Sequence, residues 1–408
     1  MFWKRRPKIN TGIDAVRHVV TRGVAEVLPN TDDLIKLLTS GKRIRLYQGF
    51  DPTGTNLHIG HMVGLRKLKQ FQDLGHEVIF LIGDGTGQAG DPSGKMAGRT
   101  TFFTHKELLA NAKKYKEQAG KILNFSGDNP VQIKFNGEWL NKLTLTDVLD
   151  IASNFTLQQL SERDIFERRI EKGESVNLRE FLYPLLQGYD SVAMEVDLEI
   201  GATDQTFNML VGRTLLKRYK EKEKFVLTTP LLTDASGKKI GKSEGNVIGL
   251  LDTPENLYGK IMSLGDAVII PGLIYLTDTP DEDIKEIEKA LHTENPKQFK
   301  ERLAYEVTLQ LHGKEKANRA QQAFVSAFQK GEVPERIPKV SAKIGDALAD
   351  VVVASGIVSS KSEWRRLVTD AAVKDMFDGS VLNSHTELVR KTVTLKIGKH
   401  RFLKIELL

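Results

Sequence analysis

The stretch Phe50-Asp51-Pro52-Thr53-Gly54-Thr55-Asn56-Leu57-His58-Ile59-Gly60-His61 constrains this chain more than any other. Ahead of it, Arg43 to Gln48 alternates like a short strand, and behind it Met62, Leu65, Leu68 and Phe71 recur at helical spacing. The stretch therefore reads as strand, loop and helix in direct succession. Thr55 or Asn56 is positioned to cap the helix. That leaves backbone N–H groups and the positive end of the helix dipole facing outward, an arrangement that holds phosphate. His58 and His61, three apart, fall on one helical face and add donors to such an oxygen cluster. Gly60 has no side chain, so a flat base has room against the backbone there. The same residues also suit an ordinary helix start with surface or core histidines, so the rest of the chain has to decide.

Glu77-Val78-Ile79-Phe80-Leu81-Ile82 is a continuous apolar run of the kind found in a buried parallel strand. Strand, helix and strand in close succession form a right-handed crossover, which predicts an α/β, Rossmann-like doubly wound parallel sheet with ligands at the carboxyl ends of its strands. Two decoys follow. Gly85-Thr86-Gly87-Gln88-Ala89-Gly90 satisfies the dinucleotide pattern, but Pro92 and Gly94 stop the helix that pattern must open. Gly94-Lys95 imitates a phosphate-binding P-loop, yet Ala89 stands at its first glycine and Met96 where Ser or Thr is needed.

At 408 residues the chain is too long for one ordinary domain. A net charge of +6 and a pI near 9.1 favour a polyanionic partner such as nucleic acid without requiring one. The absence of cysteine excludes disulfides and thiolate metal sites, and nine scattered histidines predict no protein-held metal. The basic N-terminus lacks the apolar core of a signal peptide, and the longest apolar run, around 267–276, is interrupted by Pro271 and Gly272. The reading is a cytoplasmic protein without a membrane partner.

Residues 1–42 read as a helical N-terminal segment and 43–249 as the sheet domain, with a mostly helical insertion at about 104–181. Tyr183 to Met194 is helical, Leu198 to Gln205 a strand with its terminal loop, and Phe225 to Thr228 the last core strand. Residues 250–329 form an α-helical domain, and 330–340 a polar linker with two prolines. Residues 341–408 make a small α+β tail, with helices at Ile344 to Ala354 and Ser362 to Val368 and strands at Thr392 to Ile397 and Arg401 to Leu407.

A second phosphate-binding element is Gly237-Lys238-Lys239-Ile240-Gly241-Lys242-Ser243-Glu244-Gly245-Asn246. Its glycines permit movement, and Lys239 and Lys242 are able to reach phosphates. By itself this is equally a solvated basic hairpin. His58-Ile59-Gly60-His61 followed downstream by Lys239-Ile240-Gly241-Lys242-Ser243 resembles the paired signatures of class I aminoacyl-tRNA synthetases, and the whole chain is similar to the bacterial-type tyrosyl enzymes. Residues 341–408 resemble an S4 RNA-binding domain, most specifically over Gly356 to Leu367.

That resemblance implies a tyrosine–tRNA ligase that joins L-tyrosine to tRNA(Tyr) through tyrosyl-adenylate, with ATP and Mg2+ as substrate. The insertion would form a homodimer interface and residues 250–329 would bind the anticodon. His58, His61 and Thr53 would contact phosphates, and Lys95, Arg99, Lys239, Lys242 and Ser243 the pyrophosphate. Asp204 would hold the ribose, with Gln48, Asp51, Gly60 and Gly201 completing the ATP site. Tyr47 and Asp190 would bond the substrate phenol, and Asp91, Tyr183 and Gln187 its ammonium, with Gln205 nearby. In the tail Lys361, Arg365, Arg366, Lys396, Lys399 and Arg401 would face the RNA backbone. Two rivals follow from the same residues: a noncatalytic RNA-binding protein that keeps the S4 tail, and tryptophan activation.

Overall fold

The computed structural model describes residues 7–93, 102–161, 164–234, 237, 239–240, 247–329, 337–376, 380–398 and 401–407. Six strands form the central sheet: β1 (Glu26–Leu28), β2 (Arg45–Phe50), β3 (Glu77–Ile82), β4 (Gln132–Phe135), β5 (Leu198–Ala202) and β6 (Phe225–Thr229), in the order β1-β6-β5-β2-β3-β4. All neighbours are parallel except β1, which runs against β6 with Val27 opposite Leu227. From β2 the chain winds outward through β3 to β4, then returns to the other side of β2 for β5 and β6. The order reverses between β2 and β5, so a crevice opens at their carboxyl ends, where doubly wound sheets take their ligands.

Burial follows the pattern read from the sequence. Met62, Leu65, Leu68 and Phe71 of the helix Ile59–Asp73 are fully buried, as are Ile79 and Phe80 of β3. The N-terminal segment is not wholly helical. Between α1 (Ile13–Thr21) and α2 (Thr31–Thr39), three extended residues add β1 to the sheet edge. Only Val27 of the three is buried, so β1 is too short to carry a strand pattern. The expected insertion likewise starts too early, because β4 lies inside it and pairs with β3 from Ile79–Gln132 to Ile82–Phe135. As a four-residue edge strand with no fully buried position, β4 is hidden among helical neighbours.

The helices Pro254–Met262, Ile269–Leu276, Asp281–Ala290, Pro296–His312 and Lys314–Gln329 share a hydrophobic core with the sheet domain, in which Leu257, Leu273 and Leu303 join Met62 and Phe71. Helix α3 (Ile59–Asp73) links these parts. Lys67 donates to the carbonyls of Val19 and Arg22 at 2.7 and 2.8 Å, and Arg66 reaches Asp278 at 2.6 Å. Arg22 in turn bonds the carbonyls of Leu273, Ile274 and Thr277 at the end of Ile269–Leu276.

The tail has its own core around Trp364, Val352, Leu395, Leu403 and Ile405. Its sheet, β7 (Lys339–Ala342), β8 (Val373–Asp375), β9 (Val393–Ile397) and β10 (Arg401–Leu407), has the order β7-β10-β9-β8. Both expected strands are present as β9 and β10, and the helices span Leu348–Ala354 and Lys361–Thr369. Strand β7 pairs Lys339 with Lys404, so the unit begins inside the stretch read as linker.

Candidate active site

His58, not Thr55 or Asn56, caps α3: its Nδ1 accepts the Gly60 N–H at 3.1 Å, and its own N–H donates to His61 Nδ1 at 3.2 Å. Helix entry is delayed because the preceding loop is held extended. Leu57 N–H donates to Gln118 Oε1 at 2.6 Å and Leu57 O accepts from Leu250 N–H at 3.0 Å, while Ile59 N–H bonds Ile248 O at 3.0 Å. With both Nδ1 atoms accepting, the neutral imidazoles carry their protons on Nε2, as donors suited to an anion. The two rings lie 3.8 Å apart. Room at Gly60 is narrower than expected, since a Cβ there would lie 2.9 Å from the His58 ring and 3.1 Å from Ile240 O.

Those contacts join the two signatures. Residues 248–250 pair with the first, Ile240 packs over Gly60, and Lys239 Nζ forms an ion pair with Asp204 Oδ2 at 2.9 Å. Lys95, Arg99, Lys242 and Ser243 lie outside the described residues. Thr53 N–H bonds Asp51 O at 2.7 Å within the loop. Gln48 Oε1 is buried without a donor, and its amide fills the space over Gly64, where a Cβ would fall 2.1 Å from that oxygen. Gly201 is also tight, with the Met209 sulfur 2.8 Å from a Cβ built on it.

The helix Leu178–Met194 carries Tyr183, Gln187 and Asp190 along one face. Asp190 is buried, and its carboxylate accepts from Trp139 Nε1 at 2.8 Å and Asn136 Nδ2 at 3.0 Å. Burial pushes the Asp190 carboxyl well above its usual range, against the pull of these two donors. Tyr47 is also buried and lies 3.0 Å from Ser191 Oγ; burial, with Glu199 and Asp190 near, holds its hydroxyl protonated well above the ordinary phenol range. Asp51, expected in the ATP set, accepts from Thr86 Oγ1 at 2.7 Å and Tyr183 OH at 2.9 Å. Asp91 and Gln205 come together at 3.0 Å, and Gln187 Oε1 is buried with no donor. Tyr47 connects to Gln187 through Ser191 and Glu199, and Tyr183 connects to Asp190 through Asp51, Thr86 and Asn136.

Sequence reasoning missed Asn136, Trp139, Ser191, Glu199 and Lys224. The last two left a signal: a charge inside the apolar run Leu198-Glu199-Ile200, and another directly before Phe225-Val226-Leu227. Fully buried charges are rare unless paired, and Lys224 and Glu199 form a buried ion pair.

In the tail, Lys361, Arg365 and Arg366 are exposed on one helix, with Lys361 paired to Asp350 at 2.5 Å. Lys396 stands over the Phe402 ring at 5.8 Å. Arg401 also clamps the tail internally, donating to Ile357 O at 2.8 Å and Glu363 Oε1 at 2.7 Å. Lys399 lies outside the described residues.

Comparison with known proteins agrees with this geometry. Residues 39–329 match the family model of class I tRNA synthetases (W and Y). The chain is 42% identical over 396 residues to the tyrosine–tRNA ligase of Thermotoga maritima, covering 95% of this chain and 96% of that one. It is also 42% identical over 404 residues to that of Carboxydothermus hydrogenoformans, with the same coverage. Among solved structures, a C-terminally truncated mitochondrial tyrosyl-tRNA synthetase of Coccidioides posadasii superposes with a TM-score of 0.61 at 28% identity, over 76% of this chain and 91% of that one. The crevice at the β2–β5 switch, the joined signatures and these similarities place the chain in the class I tRNA synthetase family whose members handle tryptophan and tyrosine.

Proposed function

We propose that the chain is a tyrosine–tRNA ligase that forms tyrosyl-adenylate from L-tyrosine and ATP, releases pyrophosphate, and transfers the tyrosyl group to the 3′ end of tRNA(Tyr). The observation that carries this reading is the burial of Tyr47 and Asp190, each hydrogen-bonded, in a chain that also joins the two signatures. The tyrosine carboxylate is already ionised and attacks the α-phosphate directly, so the protein needs neither a nucleophile nor a general base. Its task is to align two ligands and neutralise charge on the departing pyrophosphate.

In this reading the Nε2 donors of His58 and His61, with Thr53, meet the phosphates. Lys95, Arg99, Lys239, Lys242 and Ser243 meet the pyrophosphate, and Asp204 the ribose, with Gln48, Gly60 and Gly201 around the nucleoside. Asp190 accepts a hydrogen bond from the substrate phenol, and Tyr47 bonds the phenol oxygen. Asp91, Tyr183 and Gln187, with Gln205 beside them, gather the ammonium. Magnesium arrives with ATP as part of the substrate.

The protein acts in the cytoplasm as a homodimer. Support for pairing comes from Leu145, Leu149, Leu157 and Leu178, each more than half exposed in and beside the helical excursion. Residues 250–329 contact the anticodon arm, and the tail grips tRNA through Lys361, Arg365 and Arg366, joined by Lys396 and Lys399. The test is transfer of labelled tyrosine to bulk tRNA: an ester-linked product that needs ATP supports the proposal, and none with active tRNA would contradict it.

A further inference from the structure

A buried polar cluster behind the tyrosine pocket has no part in the roles given so far. Lys224 is fully buried at the start of β6, paired with Glu199 of β5. Its Nζ donates to Ser191 Oγ at 2.9 Å, and Ser191 Oγ lies 3.0 Å from the Tyr47 hydroxyl. Glu199 Oε1 also accepts from Gln187 Nε2 at 3.1 Å, and its other oxygen lies 3.4 Å from Ser191 Oγ. The close approach depends on Gly212: a Cβ there would fall 2.6 Å from Lys224 Nζ and 2.8 Å from Ser191 Oγ. Burying an ion pair here brings little or no net stability compared with apolar residues of similar size, so the arrangement calls for another purpose.

We propose that Lys224, Ser191 and Glu199 are positioning residues that fix the direction of the hydrogen bonds on the substrate, and so its specificity for tyrosine. This rests on the reading of Tyr47 and Asp190 as the phenol site. An ammonium only donates, so Lys224 makes Ser191 Oγ an acceptor on that side. Ser191 has one proton, and the nearer of its two acceptors is the Tyr47 oxygen, at 3.0 Å against 3.4 Å for Glu199 Oε2. With Ser191 donating to it, and with the nearby Glu199 carboxylate, a competing acceptor, already engaged by Lys224 and Gln187, Tyr47 directs its own proton into the pocket.

Asp190, at the other end, receives two donors that favour its charged form against the burial that opposes it, and in that carboxylate form it accepts only. A phenol between them completes a chain in which every group donates in the same sense: Lys224 to Ser191, to Tyr47, to the phenol, to Asp190. Phenylalanine leaves the Tyr47 donor and the Asp190 acceptor unpaired. Glu199 acts at the opposite end of the substrate as well. By taking the Gln187 amide nitrogen it turns Gln187 Oε1, buried and without a donor, toward the site, where an ammonium can bond it.

The test uses ATP–pyrophosphate exchange by the full-length chain with tyrosine and phenylalanine, for wild type, Ser191→Ala, Tyr47→Phe and the double variant. Ser191→Ala leaves the ion pair in place and is expected to lower the tyrosine-over-phenylalanine ratio of kcat/KM by about tenfold, with the KM for ATP unchanged. Tyr47→Phe should then cost much less in the Ser191→Ala background than in wild type, because the hydroxyl it removes is no longer aimed. Lys224→Met combined with Glu199→Gln, which removes the charges at similar volume, should lower the ratio as Ser191→Ala does. Equal losses for both amino acids, or additive losses in the double variant, would overturn the proposal and leave a structural role. A wild-type chain without tyrosine-dependent exchange would instead overturn the parent reading, and this inference with it.

Discussion

Lys239 Nζ lies 2.9 Å from Asp204 Oδ2, so the second signature is tethered to the carboxylate proposed to hold the ribose. In the proposed function, nucleotide binding divides this pair, freeing Lys239 for the phosphates and Asp204 for the ribose hydroxyls. Lys239→Ala is expected to slow adenylate formation by on the order of a hundredfold, the usual loss when one preorganised donor to developing charge is removed, with tyrosine KM nearly unchanged. Single-turnover kinetics with saturating tyrosine measure this, and an unchanged rate would remove Lys239 from the pyrophosphate contacts.

Gln48 and Gly64 are complementary: the amide occupies the volume a side chain at position 64 would need. Gly64→Ala forces Gln48 to move, with a stability cost of about 1–3 kcal/mol. The KM for ATP should rise while that for tyrosine stays the same. Gln48→Ala added to Gly64→Ala should recover the stability, which urea midpoints would report.

His76 provides a pH dependence of folding. Its ring is fully buried, neither nitrogen has a hydrogen-bond partner, and burial with Arg43 nearby draws its pKa from 6.5 down to about 4. Between those values the unfolded chain binds the proton and the folded chain does not. The stability is therefore intact above pH 6.5 and is lost as pH falls toward about 4, by up to ~3 kcal/mol. His76→Leu should flatten that part of the stability–pH curve, and an unaltered acid slope would contradict the assignment.

The tail is a separable core bounded by β7, so a deletion must start before Lys339 to avoid leaving an unpaired strand. Removing residues 337–408 should spare tyrosyl-adenylate formation and cut charging of tRNA, chiefly by raising the KM for tRNA and weakening its salt dependence. Charging kinetics unchanged by the deletion would refute the RNA-binding role.

Period and punctuation in the sequence were enough for the strand-loop-helix at Phe50 to His61, for β2, β3, β5 and β6, and for Tyr183, Gln187 and Asp190 on one helix. These are local features, set by spacing within a single element. Less legible were β1 and β4, too short at the sheet edges to show alternation. Cap choice at α3 was also hidden, because residues 248–250 hold the loop extended from nearly two hundred positions away. Asn136 and Trp139 reach Asp190 across 54 and 51 positions, and neither sits in a pattern of its own. The charge of Arg401 was visible in the sequence, and its partner Glu363, 38 positions away, was not.

The central claim is tested most directly by tRNA-free ATP–pyrophosphate exchange with tyrosine, phenylalanine and tryptophan, for wild type and Asp190→Ala. The account predicts exchange with tyrosine alone in wild type, and in the variant a loss of tyrosine discrimination far larger than any change in the KM for ATP. Exchange with tryptophan, or equal loss of tyrosine and ATP affinity in Asp190→Ala, would contradict the assignment of Tyr47 and Asp190 to the phenol. No exchange with any of the three would contradict the ligase itself.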